Sequence, residues 1–97
     1  MKYEWDEHKN ESNIRKHGVS FREAATVFER EDSIVFDDPD HSADEDRFLI
    51  IGFSDFSNLC VVCWCERKID TIRIISARKA TKNETAVFWD LSGRLYT

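Results

Sequence analysis

The sequence predicts an α+β fold: a mostly antiparallel sheet with two helices near its N-terminus and one at its C-terminal end. Three observations lead there. Phe21, Ala24, Ala25 and Phe28 recur at helical spacing. Four short runs rich in Ile, Val, Phe and Cys follow one another, separated by turn residues rather than by helices, which favours antiparallel pairing. Two Ser/Thr-x-x-Glu patterns, Ser20 with Glu23 and Thr81 with Glu84, have the spacing of capping boxes and mark helix starts before and after those runs.

In chain order, Tyr3 to Trp5 suit a short edge strand. Asp6 is placed to cap a polar helix that runs to about His17, and Gly18 suits the left-handed residue that ends it. The helix opened by Ser20 carries the apolar face named above, which belongs to the core. Ser33 to Phe36 read as a strand, and Asp37 to Asp46 as a polar turn around the only proline, Pro39. Arg47 to Phe53 and Leu59 to Glu66 read as neighbouring strands joined by Asp55 to Asn58. Arg67 to Asp70 then turn the chain into a last strand, Thr71 to Ser76, with Ile72 and Ile74 on one face and Arg73 and Ile75 on the other. A final helix is expected from about Lys82 to Leu91, ended by Gly93.

Ninety-seven residues, 41% of them hydrophobic and including 12 aromatics, make a single domain, 1–97, with one small core. No apolar run reaches the roughly 18–20 residues that cross a bilayer, and the polar, acidic N-terminus lacks a secretory signal, so a cytoplasmic location is expected. Cys60, Cys63 and Cys65 lie in one strand. The odd count fits a reducing compartment, and strand alternation sends Cys60 and Cys63 to opposite faces, so they read as small buried hydrophobes rather than a zinc or redox pair.

The charge is unevenly placed. The net charge is −5, yet residues 66–97 carry 7 Lys/Arg against 4 Asp/Glu, while Glu29 to Asp46 holds 9 acids and one Arg. Such an acidic stretch repels a polyanion, so it is expected on the side of the molecule away from the basic segment. Within that segment Arg73, Arg78, Lys79 and Lys82 crowd the end of the last strand and the start of the last helix, an arrangement suited to phosphate.

The run RIISARKATKNE, Arg73 to Glu84, resembles the C-terminal signature of the BrnT family of bacterial toxins. The opening YEWDEHKNESNIRKHGVSFREAATVF is similar to that family's W-D-x-x-K-x-x-x-N-x-x-K-H-G-V-S-F-x-E-A, with Asn13 and Lys16-His17-Gly18 in place. Between them DEDRFLIIGFS resembles E-x-R-F-x-x-I-G. The three segments occur in order and cover nearly the whole chain. The resemblance implies a RelE-like fold and the toxin of a type II toxin–antitoxin pair, an endoribonuclease that cleaves RNA and inhibits translation. It implies as partner a BrnA-type DNA-binding antitoxin, through which alone the pair would touch operator DNA. The chain departs from the pattern at Thr85 and Phe88, where the family commonly has Arg and Tyr.

Cleaving RNA through its own 2′-hydroxyl needs proton transfer and fixed positive charge, and no metal or other cofactor. Arg73, Arg78, His17 and Arg47 are the candidate catalytic residues. Lys16, Lys79, Lys82 and His41 are the candidate RNA contacts; His41 sits in a segment resembling the family's D-x-x-H-S-x-x-E. Each has an alternative use: Arg47 paired with Asp44 to Asp46, His17 stabilising a helix C-terminus, the lysines solvated. His8, on a polar helix, is a weaker candidate. Two other functions remain open at this level: a non-catalytic module of the same fold that holds an antitoxin for autoregulation, and an unrelated nucleic-acid-binding α+β domain.

Overall fold

The computed structural model describes residues 1–39 and 46–96, the last three of these as backbone only. The element order is β1 (Lys2–Glu4), α1 (Glu7–His17), α2 (Phe21–Val27), β2 (Ile34–Asp37), β3 (Phe48–Phe53), β4 (Leu59–Lys68), β5 (Thr71–Lys79) and α3 (Lys82–Tyr96). One sheet holds all the strands in the order β1-β5-β4-β3-β2. The pairings are antiparallel except that of β1 with β5, which is parallel.

The caps behave as the sequence implies. Asp6 accepts from the amides of His8 and Lys9, Gly18 is left-handed at φ 71°, and the Ser20 hydroxyl accepts from the Glu23 amide. Helix α1 is otherwise polar. It is fastened by Asn13, which is buried and donates to the carbonyls of Val19 (2.8 Å) and Ala77 (2.7 Å) while accepting from the Ala77 amide (3.2 Å). Strand β1 covers β5 only from Thr71 to Arg73, so the Asn13 amide takes the place of a strand partner farther along that edge.

The main core lies between the sheet and α1–α2: Val19, Phe21, Ala24 and Val27 pack on Ile50, Cys60, Val62, Ile72, Ile74 and Ala77. A smaller cluster on the opposite face joins Ile51 and Val61 to Phe88 of α3. Glu23, a buried acid among the apolar positions of α2, accepts from Ser54 Oγ (2.6 Å) and Asn58 Nδ2 (2.8 Å) and so holds the β3–β4 turn against the helix.

Three expectations need correction. Strand β5 continues to Lys79 rather than stopping at Ser76. Helix α3 runs through Gly93 to Tyr96, because an interior glycine costs a helix only about 1 kcal/mol and does not end it. Ile75 does not simply alternate with Ile74: Cys63 pairs with Ser76 and Trp64 with Ile74, so Ile75 is the extra residue of a β-bulge.

Candidate active site

The cross-strand register fixes which side chains share a face. Trp64 and Val62 of β4 pack with the α1–α2 core, so Val61, Cys63 and Cys65 face the other way, toward α3. Arg73 pairs with Cys65, Ser76 with Cys63 and Arg78 with Val61, which puts all three on the α3 face. In an unbroken strand, positions five apart fall on opposite faces. The bulge at Ile75 resets the alternation and brings Arg73 and Arg78 to the same side. The same face runs across β3 and β2, where Ile51 pairs with Ile34 and Leu49 with Phe36. One further step along these strands gives Arg47 and Asp38, joined by a bond from the Asp38 amide to the Arg47 carbonyl (3.1 Å).

The three candidate arginines therefore lie on one sheet face, and they are not bare charges. Arg78 makes a two-pronged ion pair with Glu84 of α3, Nη1 to Oε1 at 2.6 Å and Nη2 to Oε2 at 2.7 Å. Glu84 also completes the predicted capping box: its carboxylate accepts from the Thr81 amide (2.9 Å), and its own amide donates to the Thr81 hydroxyl (3.1 Å). Bonds from Arg78, helped by those from Thr81, lower the Glu84 carboxyl to about 2, and Glu84 raises Arg78 in turn. Arg73 donates to Glu4 of β1 at 2.8 Å and is partly exposed. Asp38 is buried on this face and accepts from the Cys63 thiol at 3.4 Å, with Arg47 within electrostatic reach. Burial and Asp38 push the Cys63 thiol up to about 12, and burial raises Cys60 to about 11, so neither is a nucleophile near neutrality.

Among the described residues the charges are therefore not fully segregated by side as the uneven sequence distribution suggests; residues 40–45 of the acidic stretch lie outside them. Asp38, from the acidic stretch, sits on the arginine face, and Glu4 and Glu84 stand beside Arg73 and Arg78. The electrostatic reason is that half-buried guanidinium groups retain their charge most cheaply next to a carboxylate.

The remaining candidates are not gathered on this face. Lys16 and His17, both exposed at the end of α1, border a cleft of about 210 Å³ that Ile75 and Ser76 of β5 also line. His17 therefore shares a cleft with Ser76, which lies between Arg73 and Arg78 along β5. Lys79 pairs with Cys60 and so belongs to the α1–α2 side, exposed at the strand end. Lys82 is exposed in the first turn of α3, and His8 is exposed in α1. His41 lies outside the described residues. Among the described residues no cluster of His, Cys, Asp and Glu is arranged to hold a metal ion.

Two features escaped the sequence reading. A polar cleft of about 710 Å³ opens at the Arg73 end of the sheet, where Arg67 and Lys68 join Glu4, Cys65 and Asp46. Their position within the β4–β5 hairpin was the only sequence signal. Beside Glu84, an apolar groove of about 210 Å³ is lined by Phe36, Leu49, Ile51, Val61 and Val87.

Comparison with known proteins agrees with this architecture. The family model described as "Ribonuclease toxin, BrnT, of type II toxin-antitoxin system" matches residues 5–84. The crystal structure of the Brucella abortus ribonuclease toxin BrnT superposes with a TM-score of 0.65 at 28% identity, covering 84% of this chain and 99% of that one. No curated protein gave a significant match. A fold shared with a solved BrnT, together with a family match over residues 5–84, shows that the chain belongs to the BrnT family of ribonuclease toxins of type II toxin–antitoxin systems.

Proposed function

We propose that this chain is an active endoribonuclease that cleaves cytoplasmic RNA without a metal ion, inhibits translation, and is silenced by a BrnA-type antitoxin. The observation that carries the reading is the common face of Arg73, Arg78 and Arg47, with His17 lining a cleft together with Ser76 of that face. RNA cleavage by transesterification concentrates negative charge on a five-coordinate phosphorus. Fixed guanidinium groups stabilise that charge without reorganising. Arg73 and Arg78 are assigned to the phosphate and Arg47 to its flank. His17 is assigned to proton transfer at the 2′-oxygen or the leaving 5′-oxygen, since an imidazole exchanges protons near neutral pH. Lys16, Lys79 and Lys82 contribute longer-range attraction to the RNA backbone, and His41 is assigned a contact of the same kind.

The apolar groove bordered by Phe36 and Val87 offers an antitoxin segment a place to bury hydrophobic side chains beside the arginines, and Trp89 adds an exposed aromatic on the same helix. Operator DNA would be bound by the antitoxin and not by this acidic chain. The test is incubation of the purified protein with RNA, with and without excess EDTA, alongside expression in bacteria with and without the antitoxin. Cleavage that survives EDTA, and growth arrest relieved by the antitoxin, support the proposal.

A second reading is favoured by the same ion pairs. With Arg73 and Arg78 each matched by a glutamate, and with Thr85 and Phe88 at positions where the resemblance leads one to expect Arg and Tyr, the domain would hold an antitoxin for autoregulation without cutting RNA. Soluble expression at high level without growth arrest or RNA cleavage would select it.

A further inference from the structure

We propose that Glu84 is a positioning residue for the phosphodiester site: it holds Arg78 by one edge of the guanidinium so that the opposite edge is presented, already oriented, to a phosphate of the RNA. The inference rests on the ribonuclease reading but concerns a residue outside the candidate set.

The donor count carries it. A guanidinium has five N–H groups. In Arg78, Nη1 donates to Glu84 Oε1 and, more weakly, to the Lys79 carbonyl at 3.4 Å, and Nη2 donates once to Glu84 Oε2. That leaves Nε–H and the second hydrogen of Nη2. These lie side by side on one edge, a spacing that fits two oxygens of a phosphate. The arginine side chain is 40% exposed, so that edge has access to solvent.

Glu84 is built as a rigid post. Its Oε1 is held by the Thr81 amide and its backbone by the Thr81 hydroxyl, so the carboxylate is fixed to the first turn of α3. Because the guanidinium is planar, gripping one edge fixes the direction of the other. An arginine restrained this way loses less side-chain freedom when it binds a ligand than a free one does. The cost is electrostatic, since the carboxylate offsets part of the attraction for the anion. Glu84 therefore trades charge for orientation, and the trade favours an ordered phosphate over diffuse attraction to nucleic acid.

The choice of variant separates positioning from structure. In E84Q the side-chain oxygen still accepts from the Thr81 amide, so the helix cap survives. The two-pronged grip on Arg78 does not. The experiment measures the affinity of wild type, E84Q, R78A and the double variant for a short single strand lacking every 2′-hydroxyl, which cannot be cleaved by this route. Cleavage of the matching RNA is followed as kcat and KM.

E84Q is expected to weaken binding about five- to tenfold, the scale of one charge-assisted bidentate contact made flexible. In the R78A background the same change is expected to have no effect. Tighter binding or faster cleavage by E84Q would mean that Glu84 silences Arg78. An equal loss with and without Arg78 would mean that it acts through the helix alone. Either outcome overturns the proposal, as does a wild-type protein with no affinity for the strand. If wild type binds the strand but leaves RNA intact, the ribonuclease reading fails while the binding cycle still decides the role of Glu84.

Discussion

Arg73 and Arg78 lie five residues apart on β5 yet face the same way, because Ile75 bulges out opposite the Cys63–Trp64 step. The odd spacing would otherwise send one of them into the core beside Ile74 and Ala77. The bulge thus lets one strand bury Ile72, Ile74 and Ala77 on one side and present two arginines and Ser76 on the other. Bulges commonly re-aim side chains next to functional sites.

Replacing either arginine by alanine is expected to slow RNA cleavage at least about tenfold, corresponding to about 1.4 kcal/mol of lost transition-state stabilisation. Folding should persist, since both ion pairs are partly exposed and such pairs contribute about 1 kcal/mol or less. Single-turnover cleavage rates, with circular dichroism as the control, provide the check.

Asn13→Ala should destabilise the fold by about 2–4 kcal/mol, because it strands the buried Val19 and Ala77 carbonyls and the Ala77 amide. Urea unfolding measures this directly. A loss below about 0.5 kcal/mol would mean that α1 is held to β5 by other contacts.

Gly52→Ala should also destabilise, by about 1–3 kcal/mol. A methyl group there would sit 2.8 Å from the Ser33 Cβ and 3.1 Å from Val27 Cγ1, where the Ser33 hydroxyl closes onto the Val27 carbonyl. Its thermal midpoint should fall relative to wild type.

The Glu84 carboxyl titrates at about 2 in the folded protein, against an ordinary value of 4.5. A depressed carboxylate contributes stability that is fully present above its unfolded pKa and is lost as pH falls through the folded one. The Arg78–Glu84 link and the start of α3 should therefore hold at neutral pH and weaken between about pH 4.5 and 2. Carboxyl chemical shifts of Glu84 recorded by NMR through that range would reveal the titration. A midpoint near 4.5 would mean that the ion pair does not form in solution.

The fold was largely legible in the sequence, because its signals are local. Asp6, Gly18, Ser20 and Thr81 act within a turn of their own position, and the strands are set apart by turn residues. The opposite facing of Cys60 and Cys63 followed from simple alternation, with Cys60 in the α1–α2 core and Cys63 bonded to Asp38. The site was only half legible. Its residue types were visible, but the bulge at Ile75 arises from register between β4 and β5, and no local pattern announces it. The pairing of Arg73 with Glu4 joins residues 69 positions apart in the chain through a parallel contact. Glu84 was legible as a cap, but its second bond, to Arg78, depends on how α3 leaves the strand.

The central claim is that the α3 face of the sheet cleaves RNA with its arginines and without a metal. The measurement that tests it most directly is cleavage of a defined RNA by the purified chain in excess EDTA, comparing wild type with the R73A/R78A double variant. The expected result is undiminished wild-type cleavage in EDTA, and a loss of about a hundredfold or more in the double variant with its circular dichroism unchanged. Equal rates for the two proteins, or activity abolished by EDTA and restored by Mg²⁺, would contradict it.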